Sequence, residues 1–190
     1  ASAALYAAGM SLNDLSDAET DAVERPERPI PSGRARRGEA AGITIFLVAL
    51  GLALAWTAGT STLVIAALLV GAIALYDLSL AGTAVSGPAG MATCRALNLL
   101  MGLTAAGAVP VWGVVAIATW FVYVFGLTHL SLGEVSGGGR VAVAVAALSA
   151  LASALTILGL GHAAHPDRSA LSWVALVVSL GLFASRSGIA

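Results

Sequence analysis

Long apolar runs fill most of the chain after residue 40, and each run ends at glycine, proline, serine or charged residues. Each approaches the roughly 20 residues that a helix needs to cross a bilayer. The runs are continuous and do not alternate between apolar and polar positions, which favours helices over the strands of a membrane barrel. The pattern therefore predicts an all-α, polytopic transmembrane bundle. Its six predicted complete spans are residues 41–58, 61–80, 88–109, 110–131, 140–161 and 169–186.

Shorter features refine the predicted helices. The apolar stretch 1–12 is too short to span alone, so we predict that it is the second half of one more helix. We accordingly expect the chain to be a piece of a longer membrane protein. Pro88 and Pro110 are predicted to start helices, because proline is tolerated in the first turn and disfavours helical geometry just before it.

Composition supports a membrane protein and excludes other classes. Hydrophobic residues make up 58% of the chain and charged residues 10%, against about 25% charged in soluble domains. With nine arginines, no lysine and a net charge of −1, the chain offers no basic surface for nucleic acid. A single cysteine, Cys94, excludes an intramolecular disulfide framework.

Charge is concentrated before the first complete span. Seven of the ten acids and five of the nine arginines lie before residue 40. Counting the spans alternately puts eight arginines on one face of the membrane, which the positive-inside rule predicts to be cytoplasmic. The predicted cytoplasmic segments are residues 13–40, 81–95, 132–140 and 186–190.

Three aspartates recur at helical spacing in this polar segment. On a helix, Asp14, Asp17 and Asp21 share one face, with Asn13 one turn from Asp17. Like charges at this spacing repel, and at the end of a membrane helix they call for a counter-cation. Oxygen ligands suit Mg²⁺, which is commonly shared with substrate phosphates. The alternative is a solvated acidic turn.

A proline-rich stretch follows the aspartates and cannot form a regular helix, since residues 26, 29 and 31 are all proline. Arg25 and Arg28 lie in it, and arginine is suited to bidentate contact with phosphate oxygens. The stretch also fits a positively charged anchor for the next span, and the two interpretations are compatible.

Together these motifs resemble the first aspartate-rich motif of the UbiA superfamily of intramembrane prenyltransferases. They read Asn13-Asp14-x-x-Asp17-x-x-x-Asp21 and Arg25-Pro26-x-Arg28-Pro29-Ile30-Pro31-Ser32-Gly33. The pattern is most similar to the branch of chlorophyll synthases, archaeal geranylgeranylglyceryl phosphate geranylgeranyltransferases and EboC-like proteins. The resemblance covers about residues 1–180. It implies one UbiA-like membrane domain over residues 1–190, which lacks the first and last of the family's nine helices. The aspartate motif and the Arg/Pro loop occupy residues 13–40 of this domain.

The resemblance implies a Mg²⁺-dependent enzyme that moves an isoprenyl group from an isoprenyl diphosphate to a small aromatic or lipid-precursor acceptor. It implies catalytic and metal-binding roles for Asp14, Asp17 and Asp21. Asn13, Arg25 and Arg28 would bind the substrate. The metal would neutralise the leaving diphosphate while an apolar helical cavity holds the prenyl tail.

The second acidic motif of the family is incomplete here. The corresponding stretch, residues 123–140, has Glu134 as its only acid, where the family carries an aspartate pair. We predict that Glu134 is a metal ligand; alternatively it is an interfacial residue at a helix end. His129 has two interpretations as well, a base acting on the acceptor or a structural residue.

The family also often has a lysine shortly after a tyrosine that follows its fourth helix, whereas this chain has Tyr76 and no lysine. Arg95 is expected to compensate as a substrate-binding residue, with Asn98 on the same helix face. The alternative is that Arg95 snorkels to the interface. Asp77 is either an ion-pair partner of Arg95 or a residue of the diphosphate site.

Two other functions compete with prenyl transfer. The missing aspartates and lysine suit a degenerate, non-catalytic family member that binds prenyl diphosphate or lipid. A cation transporter would need acids near the middle of several spans, and these spans lack them.

Overall fold

The computed structural model describes residues 1–81, 83–136 and 139–164. Within these ranges, the backbone but not the side chain is described at residues 133–136, 139–142, 157 and 160–164. All regular elements in this part of the chain are helical, which confirms the all-α prediction. In chain order they are α1 (Ser2–Ser16), α2 (Ala18–Glu24), α3 (Arg37–Thr57), α4 (Thr60–Leu75), a π-helix (Tyr76–Leu80), α5 (Ser86–Ala105), α6 (Val111–Ser136) and α7 (Gly139–Ala164).

Three helical stretches are long and apolar enough to cross a membrane: Arg37–Thr57, Thr60–Leu80 and Val111–Leu132. They correspond to three of the six predicted spans. Helix α5 covers most of the predicted span 88–109 but is not among them, because Arg95, Asn98 and several small polar residues lower its hydropathy. In α7 the apolar stretch Val143–Thr156 is shorter, and the predicted span 169–186 lies outside the described residues.

Helices α4, α5 and α6 each pack mainly against the next long helix, whereas α3 packs mainly against α1 and less against α4. Helix α1 also contacts α4, the π-helix and α5. The buried cluster at the centre contains Leu5, Ala55, Ala66, Leu69, Cys94 and Met101. Small residues allow the close approach that helix packing in lipid requires. At Gly51, for example, an added Cβ would lie 2.5 Å from a Leu5 methyl carbon.

The aspartate motif is less regular than the sequence predicts. Instead of one continuous helix, α1 ends at Ser16, and Asp17 joins it to α2 with φ −86° and ψ 0°. Helical hydrogen bonds nevertheless continue across the joint, from Asp17 N to Asn13 O (2.9 Å) and from Asp21 N to Asp17 O (2.8 Å). The motif thus remains nearly helical but bends at its central aspartate.

Residues 25–36 form successive turns, as their prolines require. Gly33 has φ +76°, a conformation that glycine adopts without strain. Helix α3 then begins with the Glu39 carboxylate accepting a hydrogen bond of 2.9 Å from the Arg36 backbone N–H, which satisfies one of the donors left open at a helix start. Likewise α6 begins at Val111, directly after Pro110, where the sequence predicts a helix start.

The π-helix at the end of α4 was not predicted. Its wider turn is closed by a hydrogen bond from Ala81 N to Tyr76 O, 2.9 Å long and five residues apart. Gly90 of α5 packs directly on it, because an added Cβ would lie 3.0 Å from Tyr76 Cδ2 and 3.1 Å from Leu80 Cδ1. Close packing on α5 therefore accompanies the change from α-helix to π-helix.

Candidate functional site

A cavity of about 250 Å³ lies between α1, α4, the π-helix and α5. Its wall has an apolar part and a polar part, an arrangement typical of ligand sites. The apolar part is formed by Gly9, Met10, Leu69, Ile73 and Met91. The polar part is formed by Tyr6, Asn13, Tyr76, Asp77, Cys94, Arg95 and Asn98.

Three of the residues predicted to bind substrate, Asn13, Arg95 and Asn98, line this cavity. The Arg95 guanidinium lies 4.8 Å from the centre of the Tyr6 ring, within cation–π range. Asn98 accepts a hydrogen bond of 2.8 Å from the Ser2 hydroxyl. Arg95 makes no salt bridge within the described part of the chain, so its charge faces the cavity without a carboxylate partner.

Asn13 connects two carboxylates at the polar end of the cavity. Its side-chain N–H donates to Asp17 Oδ2 at 3.0 Å. Asn13 also lies beside Asp77, whose carboxylate interacts with the charge of Asp17. Asp77 is only 9% exposed. Of its two interpretations from sequence, the ion pair with Arg95 does not form in this structure, because no described basic side chain makes a salt bridge with it.

Asp14 and Asp21 have a different partner. Arg28 Nη1 lies 3.1 Å from Asp14 Oδ1 and 3.0 Å from Asp21 Oδ2. Asp21 is 5% exposed, so the arginine compensates a buried charge. The structure therefore brings Arg28 to two of the predicted metal ligands and not to the wall of the cavity. Arg25, also predicted to bind substrate, is exposed at the end of α2.

The donor chemistry at the end of α1 fits Mg²⁺. Asp14 and Asp17 supply carboxylate oxygens and Asn13 a carbonyl oxygen, which are the ligands that this ion prefers. Within the described ranges no three His, Cys, Asp or Glu side chains converge to hold a metal by themselves. Mg²⁺ usually keeps several waters and completes its coordination with substrate phosphates.

The second predicted acidic site is largely outside the described structure. Glu134 lies in α6, but its side chain is not among the described ones. His129 is placed by its Nδ1, which lies 3.2 Å from the Ala84 carbonyl oxygen, and by ring stacking with Phe125 at 6.1 Å. These contacts tie α6 to the loop before α5 and support the structural interpretation of His129.

Sequence reasoning missed two aromatic side chains of the cavity, Tyr6 and Tyr76. For Tyr6 a signal existed, because Tyr6, Met10 and Asn13 recur at i, i+4 and i+7 and so share a face of α1. Tyr76 was noted only as a family landmark. A signal existed for Tyr76 as well, because Leu69, Ile73 and Tyr76 recur at i, i+4 and i+7 and line the cavity together.

Several known proteins are similar to the chain in sequence. A sequence profile described as the UbiA prenyltransferase family matches residues 1–188. Proteins named digeranylgeranylglyceryl phosphate synthase are similar to the chain. The one from Ignicoccus hospitalis is 40% identical over 100 residues, 53% of this chain and 33% of that protein. The one from Methanopyrus kandleri is 41% identical over 85 residues, 45% of this chain and 31% of that protein. The one from Methanothermobacter thermautotrophicus is 58% identical over 43 residues, 23% of this chain and 15% of that protein.

The matches thus span about a third of the length of the first two of these relatives. No solved structure matches the chain.

Proposed function

Because the chain belongs to the UbiA prenyltransferase family, we propose that the protein transfers an isoprenyl group from an isoprenyl diphosphate to a small acceptor within the membrane, with Mg²⁺ as its cofactor. The observation that carries this proposal is the cavity, where three features meet: Arg95, which has no salt bridge in the described part of the chain, the polar groups of Asn13 and Asp77, and an apolar wall. The diphosphate of such a substrate needs the arginine and the polar groups, and its prenyl tail needs the apolar wall.

We assign each residue of the site a role from the chemistry of its side chain. Arg95 holds the diphosphate through its guanidinium, which suits phosphate oxygens, and Asn98 lies one turn away as a further polar contact. Asp17, Asp14 and Asn13 hold the metal, and Glu134 is a proposed further ligand. When bound, Mg²⁺ neutralises charge that develops on the departing diphosphate. Arg25 and Arg28 are proposed to reach the diphosphate from the Arg/Pro loop, which for Arg28 requires release of its carboxylate partners.

The apolar wall has a separate task. Side chains such as Met10, Leu69 and Ile73 line the cavity beside the polar groups. They are proposed to hold the prenyl tail and to exclude water from the allylic carbon as its bond to oxygen breaks. The acceptor then forms the new bond to that carbon and loses a proton. From the names of the relatives we propose a glycerol phosphate lipid precursor as the first acceptor to examine.

Sidedness is also a proposal. The concentration of arginines favours the cytoplasm for residues 13–40, and the Asp17 end of the cavity adjoins that segment. We therefore propose that the diphosphate enters from the cytoplasmic side of an integral, multi-pass protein.

The test is Mg²⁺-dependent diphosphate release from geranylgeranyl and farnesyl diphosphate by the full-length protein in membranes, with candidate acceptors present. Asp17→Asn is expected to lower the rate by at least about 10²-fold, the loss typical of removing one electrostatic contact to a transition state. Glu19→Gln is the matched control, since Glu19 is a nearby acid whose side chain is 88% exposed.

Equal rates for Asp17→Asn and the parent would contradict the proposed site. Binding of both diphosphates without turnover, under conditions in which the protein is folded, would instead support the degenerate, non-catalytic alternative. The absence of lysine and of the second aspartate pair makes that outcome worth measuring directly.

A further inference from the structure

We propose that Asp77, on the π-helix, is a carboxylate ligand of the metal that accompanies the diphosphate, and that it acts together with Asp17. This inference rests on the proposed function and adds a residue that neither aspartate-rich motif contains. It follows from the position of Asp77, its burial and the charges around it.

The position of Asp77 continues the cavity-facing side of α4. Leu69, Ile73 and Asp77 recur at i, i+4 and i+8, and all three line the cavity. The π-helix begins at this point, with its i to i+5 hydrogen bond between Tyr76 O and Ala81 N, and such turns occur frequently at functional sites. The carboxylate thus lies on the cavity wall, as Asn13 does.

Burial makes this carboxylate costly unless something compensates its charge. Asp77 is about nine-tenths buried. A buried charge is usually paired with an opposite charge or bound to a metal. Among the described residues no arginine or histidine forms a salt bridge with Asp77. The cationic side chain on the cavity wall, Arg95, stacks on Tyr6 instead.

The neighbouring group increases the need for a cation. Asn13 and the charge of Asp17 both act on the Asp77 carboxylate, and the Asn13 amide donates a hydrogen bond to Asp17, so two negative charges lie near one neutral side chain. An amide has two N–H donors and can bond both carboxylates, but it does not neutralise either. A divalent cation between the carboxylates removes the repulsion and uses the oxygen ligands that Mg²⁺ prefers. Arg95, on the other wall, is then left for the diphosphate.

This arrangement accounts for the missing second acidic motif. The chain has one acid where the family carries an aspartate pair, and Asp77 supplies another carboxylate from a different element. Because Mg²⁺ retains waters and takes ligands from substrate phosphates, two protein carboxylates and an amide oxygen are enough for a shared site.

The experiment is a titration of the full-length protein with Mn²⁺, followed by electron paramagnetic resonance, with and without farnesyl thiodiphosphate as an unreactive substrate analogue. Asp77→Asn keeps the shape of the side chain. Loss of even an outer-shell partner of a metal commonly costs about 10–100-fold in affinity, so we expect at least about tenfold weaker Mn²⁺ binding. Ser79→Ala, an exposed position of the same π-helix, is the control and should bind Mn²⁺ like the parent.

A second variant separates ligation from charge alone. Asp77→Cys places a thiolate at the site, and thiolates select soft metals. We expect Cd²⁺ affinity to rise and Mn²⁺ affinity to fall, with a new sulfur-to-metal absorption band. The parent, which retains the buried Cys94, gives the background signal.

The outcomes distinguish this inference from the proposed function. If Asp77→Asn binds Mn²⁺ as the parent does and Asp77→Cys gains no affinity for Cd²⁺, Asp77 is not a ligand, while prenyl transfer by the parent still stands. If the folded parent neither binds Mn²⁺ nor releases diphosphate, the proposed function fails and the Asp77 site fails with it.

Discussion

Two pairs of carboxylates lie near the same end of α1 and differ in what compensates them. Asp14 and Asp21 share one nitrogen of Arg28, at 3.1 and 3.0 Å. Asp17 accepts a hydrogen bond from the neutral Asn13 amide, which also lies beside Asp77, and neither carboxylate forms a salt bridge within the described structure. The first pair therefore has a cationic partner without any ligand, and the second pair has none.

The difference shows that the aspartates of one sequence motif are not equivalent. Spacing alone places Asp14, Asp17 and Asp21 on one helix face. The bend at Asp17 and the return of the Arg/Pro loop divide them, so that Arg28 reaches the first and last. We infer that the bonds of Arg28 hold the loop against α1 and α2, whereas Asp17 and Asp77, which Arg28 does not bond, have the greater need of the metal.

The largest expected effect comes from breaking the compensated pair. Arg28→Met removes the positive charge and leaves Asp21 buried without a partner. Breaking a buried ion pair typically costs about 3–5 kcal/mol. Since the Arg28 side chain is 31% exposed, we expect a loss of about 2–3 kcal/mol in unfolding free energy, measured by denaturant titration in detergent.

The double variant Arg28→Met/Asp21→Asn tests the cause. Neutralising the acid should recover most of the lost stability, because an isolated buried charge is the source of the penalty. An equal loss in the single and double variants would show that Arg28 stabilises by packing, and the contrast between the two carboxylate pairs would then lose its electrostatic basis.

The next largest effect is expected at Arg95, the arginine on the cavity wall. Arg95→Leu should raise the KM for prenyl diphosphate by about 10–100-fold, since a hydrogen bond to a charged group contributes about 1.5–3 kcal/mol. Stability should change little, because Arg95 has no salt bridge to lose in the described structure. Steady-state kinetics and a melting curve on the same samples measure both.

Arg95→Lys is its matched variant. Lysine keeps the charge but lacks the planar fork that grips phosphate at two points, so we expect an intermediate KM. An unchanged KM in Arg95→Leu would place the diphosphate elsewhere, and it would favour the snorkelling interpretation of this side chain.

The sequence predicts some parts of this molecule well because they depend on local pattern. Apolar runs predicted the helical class and six spans, and three of these spans correspond to helices in the described structure that are long and apolar enough to cross a membrane. Pro110 predicted the start of α6. The side chains of Asn13, Arg95 and Asn98 were singled out from motif and helix spacing, and the structure brings all three to one cavity.

Other parts depend on contacts between distant segments. The π-helix arises where Gly90 of α5 packs against Tyr76 and Leu80, and no periodicity in residues 76–80 signals it. The bonds of Arg28 to Asp14 and Asp21 depend on how an irregular loop folds back, which spacing does not encode. Asp77 therefore remained open between two interpretations until its neighbours were known.

A smaller effect is expected from moving the π-helix that presents Asp77. Gly90→Ala adds a Cβ 3.0 Å from Tyr76 Cδ2 and 3.1 Å from Leu80 Cδ1, so these neighbours must shift by a few tenths of an ångström. Overpacking costs about 1–3 kcal/mol, and the better helix propensity of alanine offsets about 1 kcal/mol of this cost, so we expect a net loss of about 1 kcal/mol. Mn²⁺ affinity should fall along with stability, because Asp77 moves with the turn.

The control is Gly102→Ala on the same helix, where an added Cβ has no neighbour within 4 Å. Alanine favours helix by about 1 kcal/mol over glycine, so this variant should be as stable as the parent or slightly more so. If Gly90→Ala behaves in the same way and keeps its Mn²⁺ affinity, close packing at this point does not determine the position of Asp77.

The smallest effect on stability is expected for an exposed ion pair near the same helices. Arg37 and Glu19 also form an ion pair, 3.7 Å apart, but their side chains are 60% and 88% exposed. Water and salt screen such pairs, which contribute about 0–1 kcal/mol. Glu19→Gln should therefore change the unfolding free energy by less than about 0.5 kcal/mol, and this change should vanish in high salt. A loss as large as that of Arg28→Met would mean that all acids near α2 stabilise the fold alike, and burial would not be what separates Asp21 from its neighbours.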